Sequence, residues 1–242
     1  MLNVERRGRM NPLPKRNLHQ QVVESLGQQI IQGHYAVGAT LPTADDLSHH
    51  LGVSRTVTRE AIKVLEEKGL LASRPKSGIQ VLPKGEWKLL DEDVLKWQYA
   101  QGDNPVFVRQ LIQVRRIIEP ASAQLAAQHA DADDLASIQA AYDLLAESVD
   151  DLSAYKAADQ AFHSAIFQAT HNPLLAHLGQ TINLDLDAGR AVTARIPRSL
   201  AESLPLHADL TQALLARDSA QAYHSALALV EQIAQFMEEA IS

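Results

Sequence analysis

Four ionisable side chains in the C-terminal part of this chain occupy positions where helical spacing calls for apolar ones. Asp159 and His163 lie one turn apart on a stripe marked by Tyr155, Phe162 and Ile166. Arg115 shares a stripe with Leu111, Ile112 and Ile118, and His207 shares one with Leu210 and Leu214. Each has an ordinary structural use. An inward histidine is usually a hydrogen-bonded core residue, an i,i+4 Asp/His pair can be a local ion pair, and an arginine can tie down a helix end. Burying all four for unrelated reasons is costly, because each needs its own partner. Convergence on one pocket removes that cost. Asp159, His163 and His207 suit a borderline divalent ion such as zinc, nickel or manganese. They equally suit hydrogen bonds to the hydroxyls of a small ligand. Arg115 suits a carboxylate, through paired charge-assisted hydrogen bonds.

A second set lies nearer the N-terminus. Residues 43–50 read as a short helix, Gly52-Val53 as a turn, and Ser54 as the N-cap of a helix running to about Lys68. Leu47, Leu51, Val53, Val57, Ile62 and Leu65 are spaced to pack the two helices together, which leaves Arg55, Thr56, Thr58 and Arg59 facing outward. An isolated exposed arginine is usually just solvated. At the start of the second helix of a helix-turn-helix, however, side chains face base edges. There arginine pairs bidentately with guanine, and threonine touches a thymine methyl or a phosphate.

The surrounding elements divide the chain into four. Residues 1–17 form a flexible basic tail broken by Pro12 and Pro14. Residues 18–83 form a winged helix-turn-helix domain: a first helix with Val22, Val23, Leu26, Ile30 and Ile31, then the two helices above. Two short strands, 71–74 and 79–82, flank Pro75-Lys76-Ser77-Gly78. Residues 84–91 read as a linker. From 92 to 242 helical periodicity is continuous, in segments 92–101, 104–129, 131–148, 151–170, 173–192, 198–216 and 218–241. Pro120 should kink the second of these. The expected fold is mainly α, a winged helix-turn-helix joined to an all-α antiparallel helical bundle.

Charge follows the same division. Residues 1–85 carry a balance of +5 and residues 86–242 a balance of −12, which together give the net −7. A basic head on an acidic body is expected when only the head approaches phosphate. The chain has no cysteine, which excludes disulfides and thiolate metal sites and suits a reducing cytoplasm. Residues 1–33 hold no continuous apolar core of signal-peptide length, and no stretch approaches a transmembrane span. The expected location is cytoplasmic, away from any membrane.

Leu41-Pro42, Leu47, Leu51-Gly52-Val53-Ser54-Arg55, Arg59-Glu60-Ala61 and Leu65-Glu66-Glu67-Lys68-Gly69-Leu70 closely resemble the head of the GntR family of bacterial regulators. The resemblance implies operator contacts by Arg55, Thr56 and Arg59, with the wing at Lys76, Ser77 and Gly78 reaching the minor groove. Asp45 departs from it, since many relatives carry a basic residue there. Residues 114–120, Asp159 to His163, Asn172 to Leu175, and His207 with Leu210 resemble the FadR-type subfamily, whose FCD domain binds small effectors, often carboxylates and often beside a metal. Metal-binding relatives usually add a third histidine from the last helix, where this chain has Leu229. His224 lies about 140° away round that helix and is no substitute. Residues 87–97 resemble the corresponding segment of sugar-acid regulators of the galactonate type. The resemblance implies a non-enzymatic repressor, released from its DNA by a small carboxylate, with a sugar acid as the finer expectation. A palindromic double-stranded operator requires a homodimer. The rival reading is a metal-dependent hydrolase with an appended DNA-binding head, for which Asp159 and the two histidines would activate water. No separate general base or oxyanion donor stands out to support it.

Overall fold

The computed structural model describes residues 16–75, 77–100, 105–181 and 199–241, and the chain divides into two compact units, Met1–Val94 and Leu95–Ser242. Among the described residues the fold is mainly helical, and its one sheet has two strands.

In the first unit, α1 (Arg16–Ile31) buries Val22, Val23, Leu26, Ile30 and Ile31 on one face, which packs on α3. Helix α2 (Ala44–Leu51) starts at Thr43, whose hydroxyl accepts from the Asp46 amide. It stops at Gly52, where φ is +65° and the amide donates to the carbonyls of His49 and Ser48. Two residues later Ser54 caps α3 (Arg55–Glu67), accepting from the Val57 amide. This back-to-back capping fixes the turn between the two helices. Strands β1 (Leu71–Arg74) and β2 (Gly78–Val81) then pair antiparallel as the wing. The 38–41 segment lies along β2, with the Leu41 amide donating to the Ile79 carbonyl and the Val81 amide to the Ala39 carbonyl.

Residues 84–91, expected as a linker, fold back onto this unit. Trp87 is buried and its indole N–H donates to the Leu82 carbonyl, while the Lys88 amide donates to the Lys68 carbonyl. Lys68, at the end of α3, sits between Asp91 (2.7 Å) and Asp93 (2.8 Å). Partial burial lowers the affinity of Lys68 for its proton, but the two carboxylates outweigh it and hold the pKa above the ordinary lysine value. Gly69, with φ +74°, leaves the space into which the Glu86 carbonyl fits.

The second unit is built from α5 to α10, with α4 (Glu92–Ala100) leading into it. Helices α5 (Pro105–His129), α6 (Ala132–Glu147), α7 (Leu152–Gln168), α9 (Ser199–Leu215) and α10 (Ser219–Ile241) follow the expected segments to within a few residues. Helix α8 is described over 173–181; the rest of the expected 173–192 segment lies outside the described residues. Asp131 and Asp151 cap α6 and α7, the former in a reciprocal capping box with Asp134. The core joins five helices and is rich in small residues, with Ala123, Ala126 and Ala127 of α5 against Ala222, Ala226 and Leu229 of α10. Outside it, Arg109 pairs with Glu238 and Arg116 with Glu231. As numbers rise along α5 they fall along α10, so these two helices run antiparallel.

Candidate functional site

In the first unit, capping by Ser54 places Arg55, Thr56 and Arg59 on the opening turns of α3, all exposed. Thr58 is different and corrects the expectation. It is fully buried with Ala61, Ile62 and Leu65, and its hydroxyl turns back to the Ser54 carbonyl at 3.4 Å. Positions 58, 61, 62 and 65 form the inward stripe of this helix, whereas Val57 is only partly buried. Thr58 therefore packs the motif together and cannot touch a base edge. At the wing, Ser77 and Gly78 are exposed, and Gly78 takes φ +77° with the Thr40 side chain close beside it. Lys76 lies outside the described residues. Arg74, exposed at the end of β1, stands beside the same turn and was not singled out by sequence reading.

In the second unit, Arg115, Asp159, His163 and His207 are all buried and lie in one cluster contributed by α5, α7 and α9. His207 Nδ1 faces the Ser203 carbonyl at 2.8 Å, which fixes the ring and turns Nε2 inward. That Nε2 is 3.0 Å from Asp159 Oδ1, and His163 Nε2 is 3.8 Å from the same oxygen. The Ser203 hydroxyl also bonds Tyr155 at 2.8 Å, so α7 and α9 are pinned together beside the cluster. The Phe162 ring meets both imidazoles edge-on.

Sequence reading missed the residue that links this set to Arg115. Glu119, one turn further along α5, is buried and takes the Arg115 Nε at 2.5 Å. Its other oxygen is 3.9 Å from His163 Nδ1. The available signal was the i,i+4 Arg/Glu spacing. Ser122, a further turn along, is also fully buried.

Three buried polar atoms here have no hydrogen-bond partner: Arg115 Nη1, Ser122 Oγ and His163 Nε2. Glu119, Ser122 and His163 line a small pocket whose remaining wall includes Phe167, Leu210 and Leu229. Burial pushes the His163 pKa down to about 4, and the nearby Arg115 and His207 act in the same direction against Glu119. His163 is therefore neutral near pH 7, the state in which imidazole donates a lone pair. One ligand atom from each of Asp159, His163 and His207 lies within 4.8 Å of the others. The partnerless Nε2 of His163, the Nε2 of His207 and the Asp159 carboxylate that it faces are the donor types that suit a borderline divalent ion. Leu229, on α10, is buried beside them and supplies hydrocarbon only, while His224 is exposed.

Comparison with known proteins gives two family matches. Residues 18–81 match the bacterial regulatory proteins of the gntR family, and residues 110–232 match the FCD domain. The chain is 31% identical over 227 residues to the galactonate operon transcriptional repressor of Escherichia coli K12, covering 92% of this chain and 98% of that protein. It is 34% identical over 164 residues to the Uxu operon transcriptional regulator of the same organism, covering 66% of this chain and 61% of that one. Among solved structures it shares its fold with Lar of Listeria monocytogenes, with TM-score 0.66, 18% identity and coverage of 95% and 99%. E. coli McbR/YncC gives TM-score 0.52 at 21% identity, with coverage of 92% and 97%. The chain belongs to the GntR family with an FCD effector domain, and is a DNA-binding regulator of transcription, not an enzyme.

Proposed function

We propose that this protein represses transcription as a homodimer on a palindromic operator in the cytoplasm and is released by a small carboxylate, a sugar acid or a related hydroxy acid. Arg55, Thr56 and Arg59 make the major-groove contacts, and the wing at Lys76, Ser77 and Gly78 follows the adjacent groove. The reading of the second unit is carried by one observation: Arg115 and His163, both buried, each leave a nitrogen without a partner in the same cluster. Buried polar atoms are left unpaired only at a cost, and a bound anion with hydroxyls would complete both. In this reading Arg115 binds the carboxylate, and Asp159, His163 and His207 face the hydroxyls. The same three residues would hold a zinc, nickel or manganese ion, which would supply a fixed positive centre for an effector oxygen. The names of the two E. coli relatives, galactonate operon repressor and Uxu operon regulator, favour sugar acids over other carboxylates.

For release, the effector must bind the DNA-free arrangement more tightly than the DNA-bound one. Each tenfold difference in affinity is worth about 1.4 kcal/mol of switching. A thermal-shift screen of sugar acids and simple carboxylates, with and without chelator, tests the reading. A hydroxy acid should raise the melting temperature and lower operator affinity, and chelator should weaken the first effect if an ion takes part. Absence of any shift across the series would remove the effector assignment.

A further inference from the structure

We propose that Ser122 sets effector specificity: its buried hydroxyl takes one hydroxyl of the acid, on a carbon remote from the carboxylate. The inference rests on the effector reading of the buried cluster made above and adds a residue to it.

Every other serine and threonine buried among the described residues has a partner for its hydroxyl. Thr170 and Thr211 turn back to the carbonyls of Phe167 and His207, at 2.7 and 2.8 Å, the usual resort of a hydroxyl in or beside a helix. Ser203 meets Tyr155, and Ser225 accepts from the Gln221 side chain. Ser122 does none of this. It is 0% exposed and its Oγ has no partner. It also interrupts a face of α5 built from Ala123, Ala126 and Ala127, where one more alanine would leave nothing unsatisfied. A hydroxyl held there against its own desolvation points to a guest from outside the chain.

The surroundings restrict that guest. Ser122 shares its pocket with Glu119 and His163, and the rest of the wall, including Phe167, Leu210 and Leu229, is hydrocarbon. The space admits about one water-sized group. A carboxylate is too large for it and would meet the like charge of Glu119. A methyl group fits but leaves Ser122 unpaired. A hydroxyl fits, and it both donates and accepts. Which hydroxyl follows from α5. Arg115, which binds the carboxylate in this reading, precedes Ser122 by roughly 10 Å along the helix axis, with Glu119 on the turn between. Carboxylate and hydroxyl therefore belong to opposite ends of one molecule. A five- or six-carbon sugar acid spans them; glycolate and lactate do not.

The test uses the full-length protein, followed by thermal shift and titration calorimetry. The probes are gluconate, its epimers and the corresponding uronates, each also singly deoxygenated at every carbon in turn, with glycolate and lactate beside them. The wild type should bind its preferred sugar acid about tenfold more tightly than the form deoxygenated at one distal carbon. Ser122→Ala should bind those two acids equally and keep the wild-type ratio at every other carbon. Without ligand it should melt no lower than the wild type, because it removes an unpaired hydroxyl. Ser122→Cys, similar in shape but a weak hydrogen-bonding group, should match Ser122→Ala in selectivity. Wild-type selectivity in both variants, the result expected if Ser122 pairs only with water, would overturn the proposal and leave the effector reading standing. A loss in Ser122→Ala spread evenly over all the acids, or tighter wild-type binding of lactate than of any sugar acid, would overturn it as well. If no acid shifts the wild type, the effector reading falls and this inference with it.

Discussion

Arg115 is a guanidinium at 1% exposure whose charge is met by Glu119 on one edge while Nη1 on the other has no partner. Within a finished core that atom would carry an uncompensated desolvation cost of roughly 1–3 kcal/mol. Within a binding site it is the group that recognises an anion. Arg115→Ala should therefore leave operator affinity intact and abolish the response to effector, measured by titrating operator release with the acid that stabilises the wild type. Arg59→Ala should behave in the opposite way, costing about 1–3 kcal/mol in specific operator binding with the effector-induced thermal shift unchanged. Equal loss of both responses in either variant would indicate damage to the fold instead. At this scale the sequence was legible wherever a residue's helical phase was unambiguous. Arg115, Asp159, His163 and His207 each lay on a stripe with several large apolar neighbours, and all four are buried in one cluster. Thr58 was misjudged because the adjacent Val57 looked the better core residue. The phase set by Ala61, Ile62 and Leu65 selects 58, and threonine meets it by burying its methyl and bonding its hydroxyl to the turn before.

The helices themselves were readable because a period of 3.6 and their caps are local properties. Asp131, Asp151 and Ser54 each accept from amides within three residues of themselves. The 84–91 segment was not readable in that way. Its glycine and charges, just after Pro83, match a linker, and what folds it back are contacts with a residue some twenty positions earlier, at the end of α3: the Lys68 ammonium with Asp91 and the Lys68 carbonyl with the Lys88 amide. The same non-local packing makes Gly69 a sensitive position. A side chain there would have to adopt a left-handed backbone, at about 1–2 kcal/mol, and would also meet the Glu86 carbonyl. Gly69→Ala should lower unfolding stability by more than that backbone term alone, measured by urea denaturation of the full chain. A change below about 0.5 kcal/mol would mean that 84–91 is not held against the end of α3.

Over the whole chain, charge is distributed by task, with +5 in the first 85 residues and −12 in the remainder. Association with DNA should consequently be steep in salt, while effector binding in the buried cluster should be nearly flat over the same range. If the operator is palindromic, native mass spectrometry should find two chains per duplex, and a duplex carrying one half-site should bind far more weakly. A single chain on the full operator at saturation would exclude the two-fold arrangement. Neighbouring residues on α5 add a mechanical consequence. Arg115 points into the buried cluster, while Arg116 reaches outward to Glu231 of α10, and Arg109 makes a second such strut to Glu238. With Ala123, Ala126 and Ala127 packed against Ala222, Ala226 and Leu229, helix α5 is a beam loaded on its inner flange and joined to α10 through that packed face. A tug on the Arg115 guanidinium cannot easily bend it, so the load passes to α10, and the two helices would have to travel together as a single girder.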